Sequence, residues 1–115
     1  MGLVSLIRTE PGLEVIAEAA DGHQAVQAYN QFRPDLVLMD LRMPVKDGIQ
    51  ASAEIHQLFP QARILMLTTF DGDDDIHKAL AAGALGYLLK GSTAEALIEA
   101  IRTVAAGKPW IPQEV

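Results

Sequence analysis

The sequence predicts an α/β fold built on a parallel sheet with helices on both of its faces. Two observations lead there. The runs from Leu36 to Met39, Ile64 to Leu67 and Leu85 to Leu89 are continuously apolar, the pattern of strands buried on both faces. Segments with apolar residues at helical spacing lie between them, and alternating strands and helices join most simply into parallel crossover units.

Each element follows in order. Leu3, Leu6 and Ile7 repeat at helical spacing, and Pro11 with Gly12 stops that first helix. From Leu13 to Ala19, Leu13, Val15, Ala17 and Ala19 alternate with Glu14 and Glu18, which predicts a strand nearer a sheet edge. Asp21 is placed to cap a helix whose Ala25, Ala28, Tyr29 and Phe32 share one face and which Pro34 ends. The run from Leu36 to Met39 is a strand with Asp40 at its end, and a turn from Pro44 to Gly48 follows. A helix is predicted from Ile49 to Phe59, closed by Pro60, then a strand from Ile64 to Leu67. A helix with an acidic entrance runs from Asp71 to Ala82, and a strand from Leu85 to Leu89. Ala94, Leu97, Ile98, Ile101 and Ala105 stripe a last helix that ends before Gly107.

Composition narrows the function classes. The 115 residues suit one domain, and with half of them hydrophobic the chain can build a continuous core. The absence of cysteine removes disulfides, thiol catalysis and thiolate metal sites, and fits a cytoplasmic protein. Nine basic against fifteen acidic side chains give a net charge of −6, a poor match for DNA phosphates. No apolar stretch approaches the ~18 residues of a membrane span, and residues 2–7 lack the basic flank of a signal peptide.

The chemistry lies at the strand ends. In an open parallel sheet the carboxyl ends of the strands border the ligand crevice. Asp40, Thr68 and Lys90 stand at three successive ends: an acid, a hydroxyl and an ammonium. Together they suit phosphoryl transfer, with Asp40 as nucleophile, Thr68 as donor to a phosphoryl oxygen and Lys90 offsetting charge. Each has a plainer reading alone: a turn-capping acid, a β-forming threonine, a snorkelling lysine.

The run LVLMDLRMPVKDG, with AADGHQAV, LTTFDGDDDIHKAL and GALGYLLKGSTAEAL, resembles the receiver domain of two-component response regulators across almost the whole chain. Gly91 after the lysine and the exit AAGKPWIP look like the NarL/LuxR-type subfamily. The resemblance implies a flavodoxin-like, doubly wound sheet and a transcriptional phosphorelay switch that turns over no metabolite. It implies Asp40 as phosphoacceptor, Thr68 as switch hydroxyl, Lys90 as the site lysine and Tyr87 as the aromatic that follows Thr68. It further implies Mg²⁺ held by Asp40 and the backbone carbonyl of Arg42, and a role for Arg42 and Phe70 in controlling access of hydrolytic water. A sensor histidine kinase is the implied phosphodonor and a homodimer is compatible. DNA would be reached only through a helix-turn-helix domain beyond the sequence. Residues 1–107 would then be the receiver and 108–115 the start of a linker.

One departure matters. The family opens with a strand ending in two adjacent acids that hold Mg²⁺, and no such strand precedes Leu3 here. The sequence thus reads as a receiver lacking its first strand, impaired in metal binding. Because the family orders its strands 2-1-3-4-5, the expectation is that the strand from Leu13 to Ala19 closes up to pair directly with that from Leu36 to Met39, strand exchange with another chain being the alternative.

Two other classes compete. One is an interaction module that has lost phosphorylation. The other is a haloacid-dehalogenase-type phosphatase, which needs an acid two residues after its nucleophile, where this chain has Arg42. His23, His56 and His77 share no metal-ligand spacing and read as surface residues. Asp71, Asp73, Asp74 and Asp75 lack the glycine and closing glutamate of a calcium loop and read as a helix entrance. Trp110 reads as a packing anchor or linker residue.

Overall fold

Three short runs of Val, Leu, Ile and Met form the only sheet among the described residues of this computed structural model, which are 3–68 and 73–111. The strands are β1 (Val37–Asp40), β2 (Ile64–Thr68) and β3 (Gly86–Leu89), all parallel in the order β1-β2-β3. Asp40 stands opposite Leu67, and Thr68 opposite Leu89. The helices are α1 (Leu3–Arg8), α2 (Gly22–Phe32), α3 (Gly48–Leu58), α4 (Asp73–Ala81) and α5 (Ala94–Ala105).

The period of two along β2 divides the core between the two faces of the sheet. Ile64 and Met66 join Met39 and Tyr87 under Tyr29 of α2, Ala51 and Ile55 of α3 and Ala79 of α4. Leu65 and Leu67 join Leu88 under Ile7 of α1 and Leu97, Ala100, Ile101 and Val104 of α5. This is the doubly wound arrangement expected from the sequence. Each large apolar side chain enclosed in this way contributes roughly 1.5–3 kcal/mol by leaving water.

Helix ends follow the local chemistry. The side chains of Asp21, Asp47 and Thr93 accept the N–H groups of Gln24, Gln50 and Ala96, and Asp47 with Gln50 completes a capping box. Before Pro34, Arg33 closes α2 in the left-handed region, with its guanidinium carbon 3.9 Å from the ring centre of Phe59. The predicted start of α4 at Asp71 lies outside the described residues.

Two expectations are corrected. Residues 13–19 do not form a strand and pair with no strand among the described residues. Apart from Leu13, whose N–H donates to Glu10, their backbone groups find no hydrogen-bond partner in the described fold. Direct pairing with β1 does not form, and the two ends of the segment are held by other elements. Arg102 of α5 pairs with Glu10 at 3.2 Å and donates to the Pro11 carbonyl at 2.8 Å. At the other end the Gly22 N–H donates to the Lys46 carbonyl at 2.9 Å. Leu13 and Val15 reach the margin of the α1/α5 core, while Ile16 is 43% exposed. Among the described residues β1 is therefore an edge strand, and Val37 and Leu38 are half-buried rather than enclosed on both faces.

Candidate functional site

The three residues singled out at the strand ends meet at the carboxyl edge of the sheet. Lys90 Nζ reaches across β2 to Asp40 Oδ2 at 2.5 Å. The backbone sets this reach: the Leu41 N–H donates to Leu67 at 2.8 Å, and the Lys90 N–H donates to Thr68 at 2.7 Å. The strand ends are therefore stapled just where the functional side chains begin. Lys90 and Asp40 keep 41% and 36% of their side-chain surface exposed, so the ion pair adds at most about 1 kcal/mol to stability. Its consequence is positional, because it holds an ammonium against the carboxylate where incoming negative charge would need offsetting.

The loop after β1 is clamped on two sides. The Gly48 N–H donates to the Leu41 carbonyl and the Gly22 N–H to the Lys46 carbonyl, each at 2.9 Å. A side chain at either glycine would meet backbone, since a Cβ would lie 2.1 Å from the Asp40 carbonyl oxygen at Gly48 and 2.1 Å from that of Lys46 at Gly22. Lys46 itself pairs with Glu54 of α3 at 2.8 Å. Between the clamps the Lys46 N–H donates to Pro44 at 2.7 Å, and Val45 takes a φ of +68°, a strained three-residue turn for a β-branched residue. The Arg42 N–H turns back to Asp40 Oδ1 at 3.3 Å.

Asp40 is thus a half-open carboxylate with one oxygen on an ammonium and the other facing a backbone N–H. Thr68 is buried at the end of β2, and the Tyr87 ring is fully buried on the α3/α4 side of β3. Arg42 is exposed and lines an open cleft with Leu41, Met43, Asp47, Ile49 and Lys78. Phe70 lies outside the described residues. His23 and His77 are exposed, and His56 lies beside Gly83, where a Cβ would come within 2.5 Å of its ring. Sequence reasoning missed Gly22, Gly48 and Lys46 as positioning residues. The available signal was the Asp-Gly pair repeated at residues 21–22 and 47–48, each opening a helix with a capping acid and a glycine that admits close backbone approach.

No three His, Cys, Asp or Glu side chains converge as metal ligands among the described residues. Mg²⁺ prefers six oxygens in octahedral array. The Asp40 carboxylate, already engaged by Lys90, and one carbonyl do not make such a site by themselves. No helix among the described residues is long and apolar enough to cross a membrane.

Comparison with known proteins agrees with this fold. The response regulator receiver domain model matches residues 1–102. The transcriptional regulatory protein LnrK of Bacillus subtilis is 41% identical over 114 residues, covering 99% of this chain and 52% of that protein. Likewise, the match to LiaR of Bacillus subtilis is 40% identical and covers all of this chain and 54% of that protein; the chain spans about half the length of the curated relatives it matches. A crystal structure of a LuxR-family two-component response regulator from Aurantimonas sp. SI85-9A1 superposes with a TM-score of 0.91 at 40% identity, covering 96% of this chain and 79% of that one. With the family model, these relatives and the fold in agreement, the chain belongs to the response regulator receiver domain family, a signalling family rather than one of metabolite-converting enzymes.

Proposed function

We propose that Asp40 accepts a phosphoryl group from the phosphohistidine of a sensor kinase and that the domain switches a transcriptional output. A carboxylate oxygen of Asp40 attacks phosphorus, the phosphorus–nitrogen bond breaks, and the histidine leaves with its electron pair and takes up a proton. The Lys90 ammonium, freed from Asp40 as the acyl phosphate forms, turns to the phosphoryl oxygens. Thr68 donates to one of those oxygens and Tyr87 follows it. Arg42 and Phe70 tune the access of hydrolytic water. The observation that carries this reading is the 2.5 Å Asp40–Lys90 contact at the open edge of a parallel sheet.

Of the oxygens Mg²⁺ requires, this segment offers the Asp40 carboxylate and the Arg42 carbonyl, and the others would come from water or from outside the described residues. Uptake of label from acetyl phosphate with Mg²⁺ is therefore expected to be slow. Asp40→Asn should abolish it, and label persisting in that variant would sink the assignment. Residues 1–107 are read as the receiver and 108–115 as the beginning of a linker in a longer, cytoplasmic protein that reaches DNA through another domain and is able to dimerise. A receiver kept for docking alone is the second reading, favoured by the sparse metal donors. It predicts no label even after prolonged incubation.

A further inference from the structure

The chain stays on the sheet after α5 ends. Gly107 reverses it with a φ of +85°, a value glycine adopts without strain. Residues 108–111 then run beside β3. The Tyr87 N–H donates to the Trp110 carbonyl at 2.9 Å, and the Trp110 N–H donates to the Leu85 carbonyl at 3.4 Å. Gly86 and Trp110 form a parallel bridge outside the named strands. Packing supports it, since Trp110 sits half-buried at the margin of the α1/α5 core. A Cβ on Gly86 would lie 2.7 Å from Val104 and 3.3 Å from the Cβ of Trp110, so the absence of a side chain lets both close over the strand.

Tyr87 therefore belongs to two structures at once. Its ring is enclosed in the core facing α3 and α4, and its N–H holds the exit segment. We propose that residues 108–111 are the output arm of the switch, with Trp110 as the positioning residue that passes a change at Tyr87 into the chain leaving the domain. The proposal rests on the acceptor reading above. In a close-packed interior a ring of this size relocates only by displacing its neighbours, and that strain reaches the strand that carries it. The bridge it would disturb is held by two hydrogen bonds, one of them long, and is the sheet contact with least to lose on opening. Docked and displaced exit segments supply the two states that modification of Asp40 would bias.

The chain has one tryptophan, so its emission reports the segment directly. The protein is incubated with acetyl phosphate and Mg²⁺, and label on Asp40 is quantified by mass spectrometry in the same sample. Emission of Trp110 should change in proportion to label. Thr68→Ala should keep the label and lose the emission change. Trp110→Ala should alter the steady-state label by about fivefold, the size of a modest coupling between sites. Label on Asp40 with unchanged emission overturns the relay and leaves the acceptor reading standing. No label at all overturns the acceptor reading, and the relay with it.

Discussion

β1 and β2 lie side by side with similar compositions, yet their surroundings differ sharply. Every residue of β2 is buried and the strand is paired on both sides. In β1 only Met39 is buried, and β2 is its one partner among the described residues. The two strands end in the two residues to which the proposed function gives opposite tasks. Asp40 ends the open strand, where a phosphodonor can approach. Thr68 ends the enclosed one, buried and in register with Leu89. On that proposal access and transmission sit on adjacent strands and are separated by burial.

The largest expected effect divides the two ends chemically. Removing the ammonium in Lys90→Ala should slow labelling of Asp40 by about 100-fold, the usual loss when a charge-stabilising donor is deleted. It should barely change thermal stability, because the ion pair is exposed. Thr68→Ala should leave labelling within a few-fold of the parent while the transcriptional response of the longer protein falls. Equal loss of labelling and output in Thr68→Ala would show that the enclosed strand end is structural and erase the distinction.

Next in size is the difference in packing. Leu65→Ala removes a wholly buried side chain from β2 and should cost about 3 kcal/mol. Leu38→Ala removes a half-buried one from β1 and should cost about 1 kcal/mol, by partial loss of the same transfer energy. Urea unfolding of both variants measures the gap. Comparable losses would mean that the outer side of β1 is covered in solution, and the edge description would have to be withdrawn.

Much of this was legible in the sequence because the signals were local. Continuous apolar runs marked β2 and β3, Asp21 announced the start of α2, and the types of Asp40, Thr68 and Lys90 at strand ends pointed to one site. Residues 13–19 misled for a physical reason: alternation of Val15 and Ala17 with Glu14 and Glu18 reports which side chains prefer water, but a strand also needs a partner for its backbone. Whether such a partner lies alongside is set by tertiary structure, across separations no local pattern records. The loop clamps were hidden similarly, since a Cβ clash at Gly48 depends on the Asp40 carbonyl arriving from another element. The bridge from Trp110 to Gly86 likewise joins residues that only the packing of α5 brings together.

The smallest expected effect tests whether the loop carrying the open end is strained. Val45 is 84% exposed and sits at a φ of +68°, so its side chain gains little from packing and opposes its own backbone. A non-glycine residue in this region costs about 1–2 kcal/mol, more for a β-branched one. Glycine would remove that cost but widen the unfolded ensemble, which takes back about 0.4–1 kcal/mol. Val45→Gly should therefore stabilise the domain by about 0.5–1 kcal/mol, seen as a higher urea midpoint at an unchanged slope. The Gly48 clamp and the Asp40–Lys90 contact lie outside the turn, so labelling of Asp40 should change less than twofold. A lower midpoint would show that Val45 makes a stabilising contact in solution, and the turn would then be held by its side chain instead of by the two glycine clamps.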